Sequence, residues 1–232
     1  MQKKYIPFAV FFVILLVFLA HFGARLALAV PAVTYAEEAK NEQKEVYLTF
    51  DDGPSTKVTN RILDILKEED VKATFFIVSD RAYGRNEVLR RIAAEGHTLG
   101  VHSKTHDYSK MYASDEAFFQ DIDACADVIQ KITGVTPKVY RFPGGGMQYR
   151  KRLTPLVEQK GYQVVSWNAV CGDEEIAGAS ADTLVETSLK TSAGKRRVVL
   201  LCHDSAHHQA TAEALPRIIA GFREQGYVFC AY

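Results

Sequence analysis

The chain has 232 residues, with 28 basic and 28 acidic side chains, so its formal net charge is zero. A balanced charge with no basic face offers no grip on a polyanion, which excludes nucleic acid as an expected partner. Hydrophobic residues make up 47% of the chain, too many for a disordered segment and enough for a packed core.

Met1-Gln2-Lys3-Lys4 is a short basic start, and Ile6 to Ala20 is apolar without a charge. That run is short for a spanning helix, which takes about 20 residues, and it suits a signal-peptide core. Val33-Thr34-Tyr35-Ala36 offers a cleavage site with small residues, and Ala27-Leu28-Ala29 a second. Leu26 to Val30 extends the apolar segment past Arg25, so an uncleaved anchor is the rival reading. On either reading residues 1–36 engage the membrane at least transiently. The remainder is exported, either secreted or anchored facing the cell-wall side. Loss of residues 1–36 removes Lys3, Lys4 and Arg25 but no acid, leaving a net charge of about −3. Residues 37–44 are polar and read as a linker, and 45–232 as one domain.

Val46 to Phe50 is an apolar run closed by Gly53-Pro54 and reads as a buried strand over 45–50. It delivers two adjacent carboxylates, Asp51 and Asp52. Acids at a strand mouth are costly to place unless something uses them. The turn can aim both into one cleft, one holding a metal while the other stays free as a base. The blander use is an N-cap for the helix expected over 56–69, for which one Asp would suffice.

A strand at 72–78 and a helix at 86–95 lead to a strand at 97–101 that runs into His102-Ser103-Lys104-Thr105-His106. At i and i+4 the two imidazoles share a face if the segment is one helical turn. Neutral imidazole suits Zn²⁺, Co²⁺ or Ni²⁺. Two His and one carboxylate leave positions open for water and substrate, the pattern of a catalytic site.

After a helix at 115–132, the strand 138–142 carries Arg141 into Pro143-Gly144-Gly145-Gly146. An Arg there can pair with a buried carboxylate and lower its pKa. A helix at 150–160 and a strand at 162–167 precede Ser166-Trp167-Asn168 and Asp173-Glu174-Glu175. A helix at 181–191 leads to the apolar strand 197–202, which delivers His203. A helix at 209–225 and a strand at 227–231 follow. Seven strands alternating with helices argue an α/β fold with parallel strands. The motifs fall at C-terminal strand ends, as on the active face of a barrel. Periodicity alone would also fit an open doubly wound sheet. Among the cysteines, Cys125 sits on a helix as a packed thiol, while Cys171, Cys202 and Cys230 permit disulfides in an exported chain. None has Cys-x-x-Cys spacing.

The chain resembles a polysaccharide deacetylase of carbohydrate esterase family four, the NodB-homology domain. The resemblance rests on Thr49-Phe50-Asp51-Asp52-Gly53-Pro54, His102-Ser103-Lys104-Thr105-His106, Arg141-Phe142-Pro143-Gly144 and Leu201-Cys202-His203-Asp204. These occur in the family's order and cover roughly 44–232. It implies a distorted, incomplete (β/α) barrel of about seven parallel strands. It also implies roles: Asp51 as general base, Arg141 orienting it, and Asp52, His102 and His106 as ligands of a divalent metal, Zn²⁺ or Co²⁺. His203 would be the general acid, supported by Asp173. Leu201 would line the pocket for the acetyl methyl, with Trp167 as a wall and the Gly144 N–H serving the oxyanion. Two positions depart from the pattern: Glu174 stands where a Trp is common, and Gly144 where an aromatic is common.

The implied function is removal of acetyl groups from N-acetylated amino sugars by a metal-activated water. Peptidoglycan is favoured over chitin-type oligomers, and a monomer is implied. The alternatives are an O-acetyl xylan esterase, another barrel metal amidohydrolase, or a sugar-binding protein without catalysis.

Overall fold

The computed structural model describes residues 43–232. The expected leader and almost all of the expected linker lie outside these residues. The domain opens with β1 (Lys44–Asp51), α1 (Val58–Glu68), β2 (Thr74–Val78), α2 (Asn86–Ala94) and β3 (Thr98–Ser103). A short α3 (Tyr108–Met111) and a long α4 (Asp115–Thr133) lead to β4 (Val139–Tyr140), α5 (Met147–Gln159) and β5 (Gln163–Val164). Then come β6 (Ala169–Val170), α6 (Ala181–Ser192), β7 (Arg197–His203), α7 (Gln209–Glu224) and β8 (Tyr227–Cys230).

The strands run parallel in the order β5-β4-β3-β2-β1-β7-β6, with β8 also on β1. This is the incomplete barrel that the motifs imply. The sheet has eight strands rather than seven. The additional one, β6, is only two residues long and has no hydrophobic run of its own to announce it. Among the described residues no helix is long and apolar enough to cross a membrane.

Local sequence accounts for the helices. α1 buries Val58, Ile62, Leu63, Ile65 and Leu66 on one face, the spacing of an amphipathic helix. α4 is capped by Ser114, whose Oγ accepts from the Ala117 amide at 3.1 Å, and Asp115 and Glu116 fill its first turn, where the helix dipole favours them.

The sheet has two faces, and the alternation of strand side chains sorts residues between them. One face carries Leu48, Phe50, Phe75, Tyr140 and Leu200 and packs with the helices into the main core. The other carries Phe76, Val139, Val165 and Val199, joined by Tyr47, Trp167 and Tyr232 in a small inner cluster. By the same alternation Thr49, Asp51, Arg141, Leu201 and His203 belong to that inner face. All four cysteines are free thiols. Burial raises the pKa of Cys125 to about 12 and that of Cys171 and Cys202 above the ordinary thiol range, so these stay protonated.

Gly100 on β3 makes room for the inner cluster. A Cβ there would lie 2.6 Å from the Phe76 ring and 2.9 Å from Val139. We expect Gly100→Ala to cost about 1–3 kcal/mol through overpacking. Urea denaturation checks this: the midpoint should fall with little change in the slope.

Candidate active site

The inner face ends at the C-terminal mouth of the strands in a cavity of about 250 Å³. It is lined by Asp51, Asp52, His102, His106, Leu201 and His203, with Trp167, Gly144 and Glu174 around them. Arg141 and Asp173 stand behind this lining, bonded to Asp51 and His203. The structure thus brings together all ten residues singled out in the sequence.

Asp51 ends β1, almost fully buried. Its Oδ1 accepts from Arg141 Nη1 at 2.8 Å. The same nitrogen donates to Thr49 Oγ1 at 2.8 Å, and Thr49 passes its own proton to the Leu200 carbonyl. Arg141 is completely buried and lies 4.2 Å over the Phe76 ring, a stacking that suits a weakly hydrated guanidinium. Arg141 does lower the pKa of Asp51, as its pairing with a buried carboxylate implies, but it does not set the net direction. Burial raises it, and although Arg141 and His203 pull it down, burial prevails. Removing water from the carboxylate outweighs a single well-placed cation.

Neither acid is used as a helix cap. The first amides of α1, those of Val58 and Thr59, donate to Ser55 Oγ. Asp52 instead turns its Oδ1 toward two imidazoles, 3.1 Å from His106 Nε2 and 3.7 Å from His102 Nε2. That oxygen is buried without a hydrogen-bond partner. Buried acceptors are rarely left so.

His102 and His106 do not lie on one helical turn, contrary to the reading of their spacing. His102 is the penultimate residue of β3, and His106 sits in the following loop at φ +62°. Short side-chain bonds shape that loop: the His106 amide donates to Ser103 Oγ, and the Lys104 amide to Asp121 Oδ1. The rings still meet, with centroids 5.3 Å apart. His102 Nδ1 lies 2.8 Å from the Arg141 carbonyl. A carbonyl only accepts, so Nδ1 carries the proton and Nε2 presents its lone pair. Burial lowers the His102 pKa to about 3, which keeps the ring neutral.

These residues suit a divalent cation. One carboxylate oxygen without a partner and two imidazoles, with ligand atoms all within 4.8 Å of one another, form a donor set of the Zn²⁺ or Co²⁺ type. Asp173, His203 and His208 also cluster, but there both carboxylate oxygens are already engaged.

His203 faces the opposite way electrostatically. Its backbone amide and its Nδ1 both donate to Asp173 at 2.8 Å, and Thr211 Oγ1 donates to the same carboxylate at 2.7 Å. Burial pulls the His203 pKa down, but the Asp173 hydrogen bond and the charges of Asp173, Asp51 and Asp52 raise it to about 9. The ring is therefore a cation at neutral pH. A nitrogen of His203 lies within 4.8 Å of an Asp52 oxygen, so this proton donor looks across the cavity at the carboxylates.

Glu174, the departure from the family motif, bonds His208 Nε2 at 3.0 Å. The His208 ring stacks on His203 at 5.1 Å. Sequence reasoning missed Thr211, a hydroxyl outside every motif, and gave no role to Thr49 and Asp204, which lie within the motifs. Asp204 is wholly buried, and burial raises its pKa to about 7. Its amide donates to the Asp51 carbonyl and its carboxyl accepts from Thr59 Oγ1 at 2.6 Å. It ties the loop bearing both acids to the strand bearing His203.

Comparison with known proteins agrees with this geometry. The polysaccharide deacetylase family model matches residues 38–165. A peptidoglycan-N-acetylglucosamine deacetylase of Bacillus cereus is 36% identical over 195 residues, 82% of this chain and 70% of the relative. A putative polysaccharide deacetylase of Bacillus subtilis is 36% identical over 80% of this chain and 66% of its own length. The chain thus spans about two thirds of the length of these relatives. Among solved structures, a polysaccharide deacetylase from Bacillus cereus matches with TM-score 0.75 and 34% identity, covering 82% of this chain and 92% of the other. The catalytic domain of a peptidoglycan N-acetylglucosamine deacetylase from Eubacterium rectale matches with TM-score 0.75 and 31% identity, covering 82% and 88%.

The charge on His203 depends on Asp173. In Asp173→Asn the ring keeps its burial but loses the anion that offsets it. We expect its titration, followed by NMR, to move from about 9 to below the ordinary His value of about 6.5. An unmoved titration would show that Asp173 does not set it.

Proposed function

The chain belongs to the polysaccharide deacetylase family, and we propose that it hydrolyses the N-acetyl group of an amino sugar in a cell-wall polysaccharide. The single observation that carries this reading is the divided pair Asp51 and Asp52. One acid is held by Arg141 and kept apart, while the other points a free oxygen at two imidazoles.

Asp52, His102 and His106 would hold a divalent metal, and that ion would supply the Lewis acidity that polarises the acetyl carbonyl and makes water acidic near neutrality. The remaining work falls to protein groups. Asp51 takes a proton on the oxygen not committed to Arg141. Gly144 lines the cavity, and its N–H would donate to the carbonyl oxygen as charge develops there. Leu201, buried and apolar at the floor, receives the acetyl methyl. His203, charged at neutral pH, gives its proton to the departing amine, a contribution of about 10²–10⁴-fold. Asp173 and Thr211 hold that ring in place. Among the described residues no Ser or Cys lines the cavity, which accords with direct attack by water.

Peptidoglycan is our preferred substrate, supported by the names of the relatives. We place the reaction outside the membrane, with residues 1–36 as leader or anchor, supported by the charge-free run from Ile6 to Ala20. The enzyme acts as a monomer.

Acetate release from N-acetylglucosamine oligomers, peptidoglycan and O-acetylated xylan tests the reaction. We expect release from the amino-sugar substrates and its loss on chelation. Release from xylan alone would overturn the reading.

Variants separate the roles. His102→Ala, His106→Ala and Asp52→Ala should each lose metal and turnover together. Asp51→Asn and His203→Ala should keep the metal and lose about 10²–10⁴-fold in kcat. Equal metal content in Asp51→Asn and Asp52→Ala would show that the two acids do not divide the work.

A further inference from the structure

A cavity of about 180 Å³, separate from the catalytic one, is lined by Pro54, Ser55, Arg81, Arg85, Ser205 and His207. The two cavities share no lining residue. Three segments build the small one: the turn after Asp51-Asp52, the stretch between β2 and α2, and the loop from β7 to α7. Its chemistry is the reverse of the catalytic cavity's, which presents Asp51, Asp52, Glu174 and Glu175. Among the described residues that line the small cavity there is no carboxylate. Two guanidiniums, an imidazole and two hydroxyls are there instead.

Backbone carbonyls place the two guanidiniums. Arg85 Nη1 donates to the Arg81 carbonyl at 2.7 Å, and Arg81 Nη1 to the Asp52 carbonyl at 2.6 Å. Among the described residues these are their only side-chain hydrogen bonds, so the remaining N–H groups of both forks are open to a ligand. The exposed Arg90 and Arg152 each pair closely with a carboxylate. Arg85 has no such partner among the described residues, and the nearest carboxylate oxygen to Arg81 is Asp52 Oδ2, at 3.6 Å. Open guanidinium forks recognise oxyanions, giving two parallel N–H···O bonds to one group. Pro54-Ser55 and Ser205-His207 lead into α1 and α7, and the partial positive charge of a helix start adds to that of the arginines. The volume is below the roughly 300 Å³ at which pockets for larger organic ligands begin, and it suits a single small ion or group.

We propose that this cavity binds a phosphate group, free or esterified. Donors that converge from three segments match four tetrahedral oxygens better than the two coplanar oxygens of a carboxylate. The site does not depend on the deacetylase reading.

Calorimetric titration at constant ionic strength tests it, with inorganic phosphate as the probe. The native protein should bind with a Kd of about 1 mM or tighter. Arg85→Ala should weaken binding about tenfold, the loss of one charge-assisted bond, and His207→Ala should weaken it less. Arg81 is left intact because it also holds the Asp52 carbonyl. A metal ion could hold phosphate as well, so His106→Ala and the chelator-treated native protein are the controls, and both should bind as the native protein does. Glycerophosphoglycerol, a diester, separates the sources: its binding identifies an esterified phosphate, and binding of inorganic phosphate alone identifies the free ion. No heat of binding in the native protein overturns the proposal. So does full affinity in both Arg85→Ala and His207→Ala, or phosphate binding no tighter than propionate. Loss of binding on chelation places the phosphate on the metal and overturns it too.

Discussion

The in-register pairing of β1 with β7 is the constraint on which the site depends. Asp51 lies opposite His203, and Thr49 opposite Leu201. In a parallel pair such partners share a face, so Asp51, His203, Leu201 and Thr49, which accepts from Arg141, all point inward together. A slip of one residue would turn each of them toward the helices. The Asp204 amide extends this ladder one step beyond the strands by donating to the Asp51 carbonyl. The inner cluster then has a definite task. Phe76 and Trp167 flank the buried guanidinium, and Arg141 holds Asp51. Removing one partner from such a buried pair typically costs about 3–5 kcal/mol, because the other charge is left stranded.

Two histidines a few ångströms from the same carboxylates carry opposite charge states, and the cause is what each Nδ1 meets. His102 donates to a backbone carbonyl, a neutral acceptor, and burial then leaves it uncharged. His203 donates to a carboxylate that is itself locked by Thr211, and the anion overcomes burial. One ring can therefore offer a lone pair while the other offers a proton, which is how environments divide acid from base roles among like groups. Asp51 completes the arrangement: burial holds its pKa up, so it is a better proton acceptor than an exposed carboxylate.

The parts of this site that could be read in the sequence are those carried by strand ends. An apolar run followed at once by Asp51-Asp52, by His102 or by His203 shows both the strand and the odd polar group at its mouth, and the strand alternation then fixes the face. Six helix positions were legible for a similar reason, since each had an apolar stripe; the four-residue α3 (Tyr108–Met111) is too short to show one. The geometry between His102 and His106 was not. A spacing of four fits a helical turn, but the loop is shaped by bonds from the His106 and Asp107 amides to the Ser103 and Thr105 hydroxyls, which leave no periodic trace. That burial outweighs Arg141 at Asp51 was not legible either, because a sequence displays a residue's neighbours in the chain and not its depth. Thr49 and Thr211 are ordinary residues made important by where the sheet and α7 place them.

β1 has no free edge. β7 covers one side from Glu45 to Asp51, while β8 covers Lys44 to Tyr47 of the other and β2 covers Thr49 to Asp51. Its amides alternate between these neighbours, so each is freed only when a strand paired with β1 inside the sheet parts from it. Local opening elsewhere, in the loops that bear His106 and Glu174, needs no such event. Hydrogen exchange should then divide the site by origin, with the Asp51 amide among the slowest in the domain and exchanging only when the whole sheet comes apart. Asp51 is thus fastened to the most durable part of the domain, while His106 and Glu174 sit on loops that can open without it.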